Sequence, residues 1–299
     1  MSSMGGPPIE AGPPHQHTRD FIHPHTPAMV ANLAKRFARN AVAGLVEPFK
    51  ILFTQRTLLR LLIKRDIVNR TAGTLLGGLW MLTQPALQIV AFWFLLDFVL
   101  KVKFPGQVPF VNYFLIGMVP WVLIAEVLGR SMTILSEFSP LYKRSLFPLS
   151  ILPVIPLLLA ALIYGTVFTV TVGILEGPPQ ALAALGIIAI LLVWLLPFCY
   201  LLAVIGLFVK DIAQAFPFVL TMAMYLTPIL YMPEMLPEQL RAFLVFNPFA
   251  DVMALIHAAL QGLPFTTGHW LRPLLLWAML LAPAWVLFRR TEPHMREAL

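Results

Sequence analysis

FKILFTQRTLLRLLIKRDIVNR, residues 49–70, runs straight into TAGTLLGGLWMLTQPALQIVAFWFLLDFVL, residues 71–100, and the change of composition between them decides the fold. In the first stretch Arg56, Arg60 and Lys64 recur at i, i+4, i+8 as a cationic spine, while Leu52, Leu59, Leu62, Ile63 and Ile67 share the opposite side. That spacing predicts an amphipathic helix in a membrane interface, its basic face toward lipid phosphates. From 73 to 100 the sole charge is Asp97. A run of that length crosses a hydrocarbon layer of about 30 Å.

The rest of the chain agrees with this reading. Of its 299 residues, 59% are hydrophobic and 12% charged, and the mean hydropathy is +0.81. A soluble domain carries about 25% charged residues. The net charge of +7 lies beside apolar runs, so anionic lipid and topology account for it better than nucleic acid does. The single cysteine, Cys199, excludes an intrachain disulfide.

Five further apolar runs are long enough to span: 112–132, 151–175, 181–209, 212–231 and 271–288. Of the 21 Lys and Arg residues, ten precede residue 73, three (Arg130, Lys143, Arg144) fall between spans two and three, one (Lys210) between four and five, and three at the C-terminus. Only Lys101, Lys103, Arg241 and Arg272 fall on the other side, which predicts that both termini are cytoplasmic. Residues 1–28 are polar and proline-rich, without the apolar stretch of a signal peptide, and read as a disordered tail. Its His15, His17, His23 and His25 lack a carboxylate or cysteine at ligand spacing. Residues 29–47 form a second, weaker amphipathic helix candidate.

Residues 232–270 hold two short helical patterns, 237–246 and 248–260, divided at Asn247-Pro248. Two helices too short to span, between two spans, predict a hairpin dipping into the outer leaflet. The expected fold is therefore an all-α integral membrane protein. Residues 1–28 are the tail, 29–72 are amphipathic cytoplasmic or interface helices, and 73–299 form six transmembrane helices with a re-entrant hairpin before the last.

Catalytic and metal-binding signatures are missing. No P-loop, zinc-protease or nucleophile-elbow motif occurs. Ionisable residues within the spans are few: Asp97, and Glu126 with Arg130, placed i, i+4 where they can neutralise each other. That is too sparse for a proton relay. Gly73 and Gly77 form one GxxxG, a pattern that permits close helix approach. Aromatic residues are abundant, and rings in a pore can stack on the faces of sugars.

The residues also resemble a family. RDIVNRTAGTLLGGLWMLTQP (65–85) is similar to the entry of the first span in the permease subunits of ATP-binding-cassette exporters of polysaccharide, the group that serves O-antigen, capsule, teichoic acid and galactan. Arg65, Asp66, Arg70, Leu76, Gly77, Trp80, Gln84 and Pro85 match in order. GMVPWVLIAEVLGRSMTIL (117–135), LYKRSLFPLSILP (141–153), V-x-D-I (209–212), LTPILYMPEMLPEQLRAFLVFNPF (226–249) and FRRTEPHMREAL (288–299) follow in order. Thr71 and Gly73 depart from the pattern, and the tail is longer than usual.

The resemblance implies a homodimeric permease in a bacterial inner membrane, moving a lipid-linked glycan outward. It implies no cofactor on this chain; two copies of a separate ATPase would hold ATP and Mg. Leu141, Tyr142, Lys143, Arg144, Leu146 and Phe147 would form the coupling helix docked on that ATPase. Arg56, Arg60, Lys64, Arg65, Asp66 and Arg70 belong to the interface helix. Trp80, Phe92, Trp93, Trp121, Phe218, Tyr225 and Tyr231 are candidates for the glycan path, and Pro237, Asn247 and Pro248 mark the outer gate. An exporter of small drugs or lipids would share the topology without the ordered motifs. An intramembrane glycan-processing enzyme would need catalytic groups at the outer face, where only His257, Glu234 and Glu238 are near.

Overall fold

The computed structural model describes residues 39, 42–44, 46–104, 109–142 and 147–297. The tail 1–28 lies outside them, as do Lys143, Arg144 and Leu146. The described residues are helical and contain no strand. Five helices are long and apolar enough to cross a membrane, or six if one bent pair counts as a single span. The protein is a multi-pass membrane protein.

Helical residues 42–44 and 46–54 lead into α1 (Arg56–Thr71). Leu59, Leu62 and Asp66 are buried on one face of α1, while Arg56, Arg60, Lys64 and Arg65 are exposed. The spine and the apolar stripe therefore separate as the periodicity requires. Two contacts fix the preceding segment: Trp285 Nε1 donates to Glu47 Oε2 at 3.0 Å, and a Cβ on Gly44 would lie 2.8 Å from Ala282 Cα.

The turn out of α1 revises the GxxxG reading. Gly73 has φ +75° and Gly77 has φ +53°. Both occupy left-handed conformations that favour glycine, so they shape a turn and pack no helix against another. The first span, α2 (Gly77–Val99), consequently begins four residues after the expected position. It closes in a π-helical turn, Phe94–Val99, which holds Asp97.

The next three spans follow expectation: α3 (Phe110–Glu137), α4 (Leu149–Leu175, with a π-helical segment Ala161–Gly165) and α5 (Pro178–Phe208). The core is built where α3 and α5 meet, with α4 and the last helix against α5. A Cβ on Gly206 of α5 would stand 1.9 Å from Met132 O of α3, so no side chain fits between these backbones. Tyr200, fully buried, donates to Ser150 O at 2.8 Å between the edge-on rings of Trp285 and Phe288.

The run expected as the fifth span, 212–231, is not among those five helices, because its helix is too short. α6 runs over Lys210–Leu226, 17 residues or about 25 Å. Thr227 is extended, as the residue before Pro228 tends to be, and the chain stays irregular to 232. The pair α7 (Glu238–Phe246) and α8 (Pro248–Gln261) then meets at 100°. Asn247 makes the corner: its Oδ1 accepts from Phe249 N at 3.0 Å, and its Nδ2 donates to Leu226 O at 3.1 Å and Thr227 Oγ1 at 3.0 Å. Pro248 is the first residue of α8 and Pro237 precedes α7. The last helix, α9, covers Thr267–Glu297 and includes the expected span 271–288.

Candidate functional site

Two charged residues on each of two helices meet at the base of a cleft, which Arg70, Glu126 and Arg130 line. Asp66 and Arg70 lie i, i+4 on α1, and Glu126 and Arg130 lie i, i+4 on α3. The pairs cross: Arg70 Nη1 reaches Glu126 Oε1 at 2.8 Å, and Arg130 Nη2 reaches Asp66 Oδ1 at 2.8 Å. Arg70 Nε stands 3.5 Å from Asp66 Oδ2, and Arg130 Nη1 is paired with Glu137. Glu126 and Arg130 thus each find a partner on α1, and Arg130 a second in Glu137 of α3, rather than in each other. Asp66 is 4% exposed, so an uncompensated charge there would be costly. Formally, three carboxylates face two guanidinium groups, and neither cation is left over for an anionic ligand.

Above this floor lies a cleft of about 610 Å³. Trp80, Gln84 and Gln88 recur at i, i+4, i+8 along α2 and form one wall. Trp121, Ala125 and Glu126 of α3 face them, with Tyr164 of α4 and Pro217, Thr221 and Met224 of α6 completing the lining. The amides of Gln84 and Gln88 are the polar groups that sequence reasoning missed as site residues. Their signal was available: two glutamines at helical spacing in a span otherwise nearly free of polar side chains.

Pro85 shapes the cleft as well. Its missing N–H frees the carbonyl four residues back, Met81 O. Tyr164 Oη supplies a replacement, donating to that oxygen at 2.9 Å. The same substitution recurs elsewhere: Pro197 frees Val193 O, and Trp277 Nε1 donates to it at 2.8 Å.

The aromatic candidates divide into groups. Trp80, 47% exposed, and Trp121, buried, line the cleft together. Phe92 and Tyr225 meet edge to face at 6.3 Å across α2 and α6. Trp93 and Phe218 are exposed and lie outside the cleft lining. Tyr231 sits instead at the base of the bent pair, where its carbonyl is 3.4 Å from Tyr113 Oη. No residue of α2 between Trp80 and Trp93 is buried.

Of the coupling candidates, Leu141 and Tyr142 fall in a short helix, Ser139–Tyr142. Leu141 is half-buried and Phe147 buried, both against the chain's own core. Among the described residues, no group of three His, Cys, Asp or Glu side chains could hold a metal ion.

No family model matches the chain. It is 24% identical over 202 residues to the O-antigen export system permease protein RfbA of Klebsiella pneumoniae, covering 66% of this chain and 77% of that protein. It is 25% identical over 209 residues to the protein of that name from Myxococcus xanthus, covering 68% and 79% respectively. These likenesses bear out the resemblance carried by the ordered motifs.

Proposed function

We propose that this chain is the membrane permease of an ATP-driven exporter of cell-surface polysaccharide, working as a homodimer in a bacterial inner membrane. The observation that carries the reading is the one-sided cleft. Trp80, Gln84 and Gln88 form its wall on a helix that buries nothing between Trp80 and Trp93. Amides and a charged floor opened to lipid would be unfavourable, and a second copy laid against α2 and α6 would enclose them.

The lining suits a glycan. Rings offer stacking faces, amides offer hydrogen bonds to hydroxyls, and the internally paired floor offers no free cation to trap a charged cargo. The cargo would be joined to a lipid such as undecaprenyl diphosphate, with the lipid tail remaining in the bilayer. Both termini would be cytoplasmic, with α1 in the cytoplasmic interface and α7–α8 capping the outer end. This chain acts as a transport subunit; two copies of a partner ATPase would bind ATP and Mg. Residues 141–147 would pass ATPase closure to the spans. Half-buried Leu141 and buried Phe147 pack on the core, and in this reading Lys143 and Arg144 would meet the partner. The ion network tying α1 to α3 would make the two helices move together.

Depletion of the protein tests the reading. Intact undecaprenyl-linked polymer trapped in the cytoplasm is the expected result. Unprocessed polymer outside the membrane would favour a processing enzyme, and normal surface polymer would exclude both. Lys143→Glu with Arg144→Glu should abolish co-purification of the ATPase or its stimulation; survival of both moves the contact elsewhere.

A further inference from the structure

A second cavity, of about 800 Å³, lies beneath the bent pair α7–α8. Tyr113 in its wall is 17 residues from Arg130 of the ion network, about 25 Å along α3. The two cavities therefore serve opposite ends of the same helix.

Both guanidinium groups lining this second cavity are engaged within the chain. Arg272 Nε donates to Asp251 Oδ2 at 2.8 Å and Nη2 engages Oδ1, a bidentate pair in which Asp251 is only 2% exposed. Arg241 is engaged with backbone: Nε donates to Pro233 O at 3.1 Å, and Nη2 to Glu234 O at 3.1 Å and Leu236 O at 3.3 Å. An anionic ligand would have to break one of these arrangements, so the cavity is ill-suited to a phosphate or a fatty-acid headgroup.

The remaining features favour neutral hydroxyl chemistry. The His257 ring lies flat on Tyr113, centroids 3.9 Å apart. Its Nδ1 is 3.0 Å from Gln261 Oε1. Gln261 Nε2 in turn donates to Glu176 Oε1 at 3.3 Å, which also accepts from Asn112 Nδ2 at 3.1 Å. That sequence of bonds assigns the proton to Nδ1 and leaves the buried Nε2 as an acceptor without a partner. The wall thus presents a fixed carboxylate–guanidinium edge and a rigid ring pair. Much of the rest is apolar, including Leu244, Val245 and Phe265. A few fixed polar groups in a mostly apolar concavity of this size are the ordinary makings of a small-molecule site.

We propose that this cavity is a saccharide pocket that holds one neutral sugar residue of the glycan as it leaves the membrane. Hydroxyls of that residue meet the Asp251–Arg272 edge, and its C–H face lies on Phe265. The proposal rests on the export reading. It adds a second sugar contact, separate from the cleft, at which the leading end of the chain is held while the next segment enters.

The test uses cells making the complete exporter, with a benzophenone side chain in place of Phe265 and metabolically radiolabelled sugar. Illumination should yield an adduct carrying labelled glycan. Val245→Trp, which fills the cavity from an exposed position and leaves the ion pair intact, should cut that adduct roughly fivefold or more at unchanged protein level. Adducts containing only phospholipid, no adduct while surface polymer is normal, or an adduct indifferent to Val245→Trp would each overturn the pocket and leave export standing. If surface polymer does not depend on this chain, both readings fall.

Discussion

Asp66 is the residue on which the most depends locally. It is 4% exposed, 2.8 Å from Arg130 and 3.5 Å from Arg70. Arg130→Gln removes its nearer cation and should destabilise the fold by about 3–5 kcal/mol. Thermal unfolding of the purified protein in detergent measures this. Adding Asp66→Asn to the variant should recover a large part of the loss, since the pair is then replaced by neutral groups. Tyr164 offers a cleaner cycle. Tyr164→Phe strips the donor from Met81 O and should cost about 1–3 kcal/mol. In a Pro85→Ala background, where residue 85 can again donate to that carbonyl, the same change should cost much less. Equal losses in both backgrounds would mean that the phenol is not the replacement donor.

At the scale of the element, Asn247 is both the cap of α8 and the tie from the bent pair to the end of α6. Asn247→Ala should destabilise the corner by about 1–2 kcal/mol, and Asn247→Asp, which keeps only the cap, by less. Hydrogen exchange over 226–249 reads both. The elements also show where the sequence is legible. Spans two, three and four emerge within a few residues of the apolar runs, because length and hydropathy alone specify them. The end of α6 does not, since 226–231 remains apolar while Pro228 stops the helix. Gly73 and Gly77 have the spacing of a packing motif, and only the backbone torsions show them to be a turn. The crossed pairs were equally hidden: Asp66 and Arg130 are 64 residues apart, and adjacency along α3 suggested the wrong partner for Arg130. The amphipathic division of α1 was plain because 3.6-residue spacing needs no tertiary information.

For the whole molecule, the decisive prediction concerns a second copy. Cys199 is the only cysteine and is buried, so introduced thiols can be read without much background. Leu87→Cys on α2 and Phe218→Cys on α6 both lie at exposed positions. A short bifunctional thiol reagent applied to membranes should join two copies through at least one of these sites, and should fail with a control cysteine at exposed Leu182 on α5. Monomer alone at every position, in cells that still display polymer, would remove the enclosed cleft from the proposal. The 17-residue length of α6 has a further consequence, in terms of the bilayer. If α6 crosses the membrane in the proposed exporter, a helix of about 25 Å in a hydrocarbon layer of about 30 Å would draw the two leaflets together beside it. The proposed lipid-linked cargo would then cross at the thinnest point of its surroundings, and lengthening α6 by one turn should slow that crossing even with every cleft residue in place.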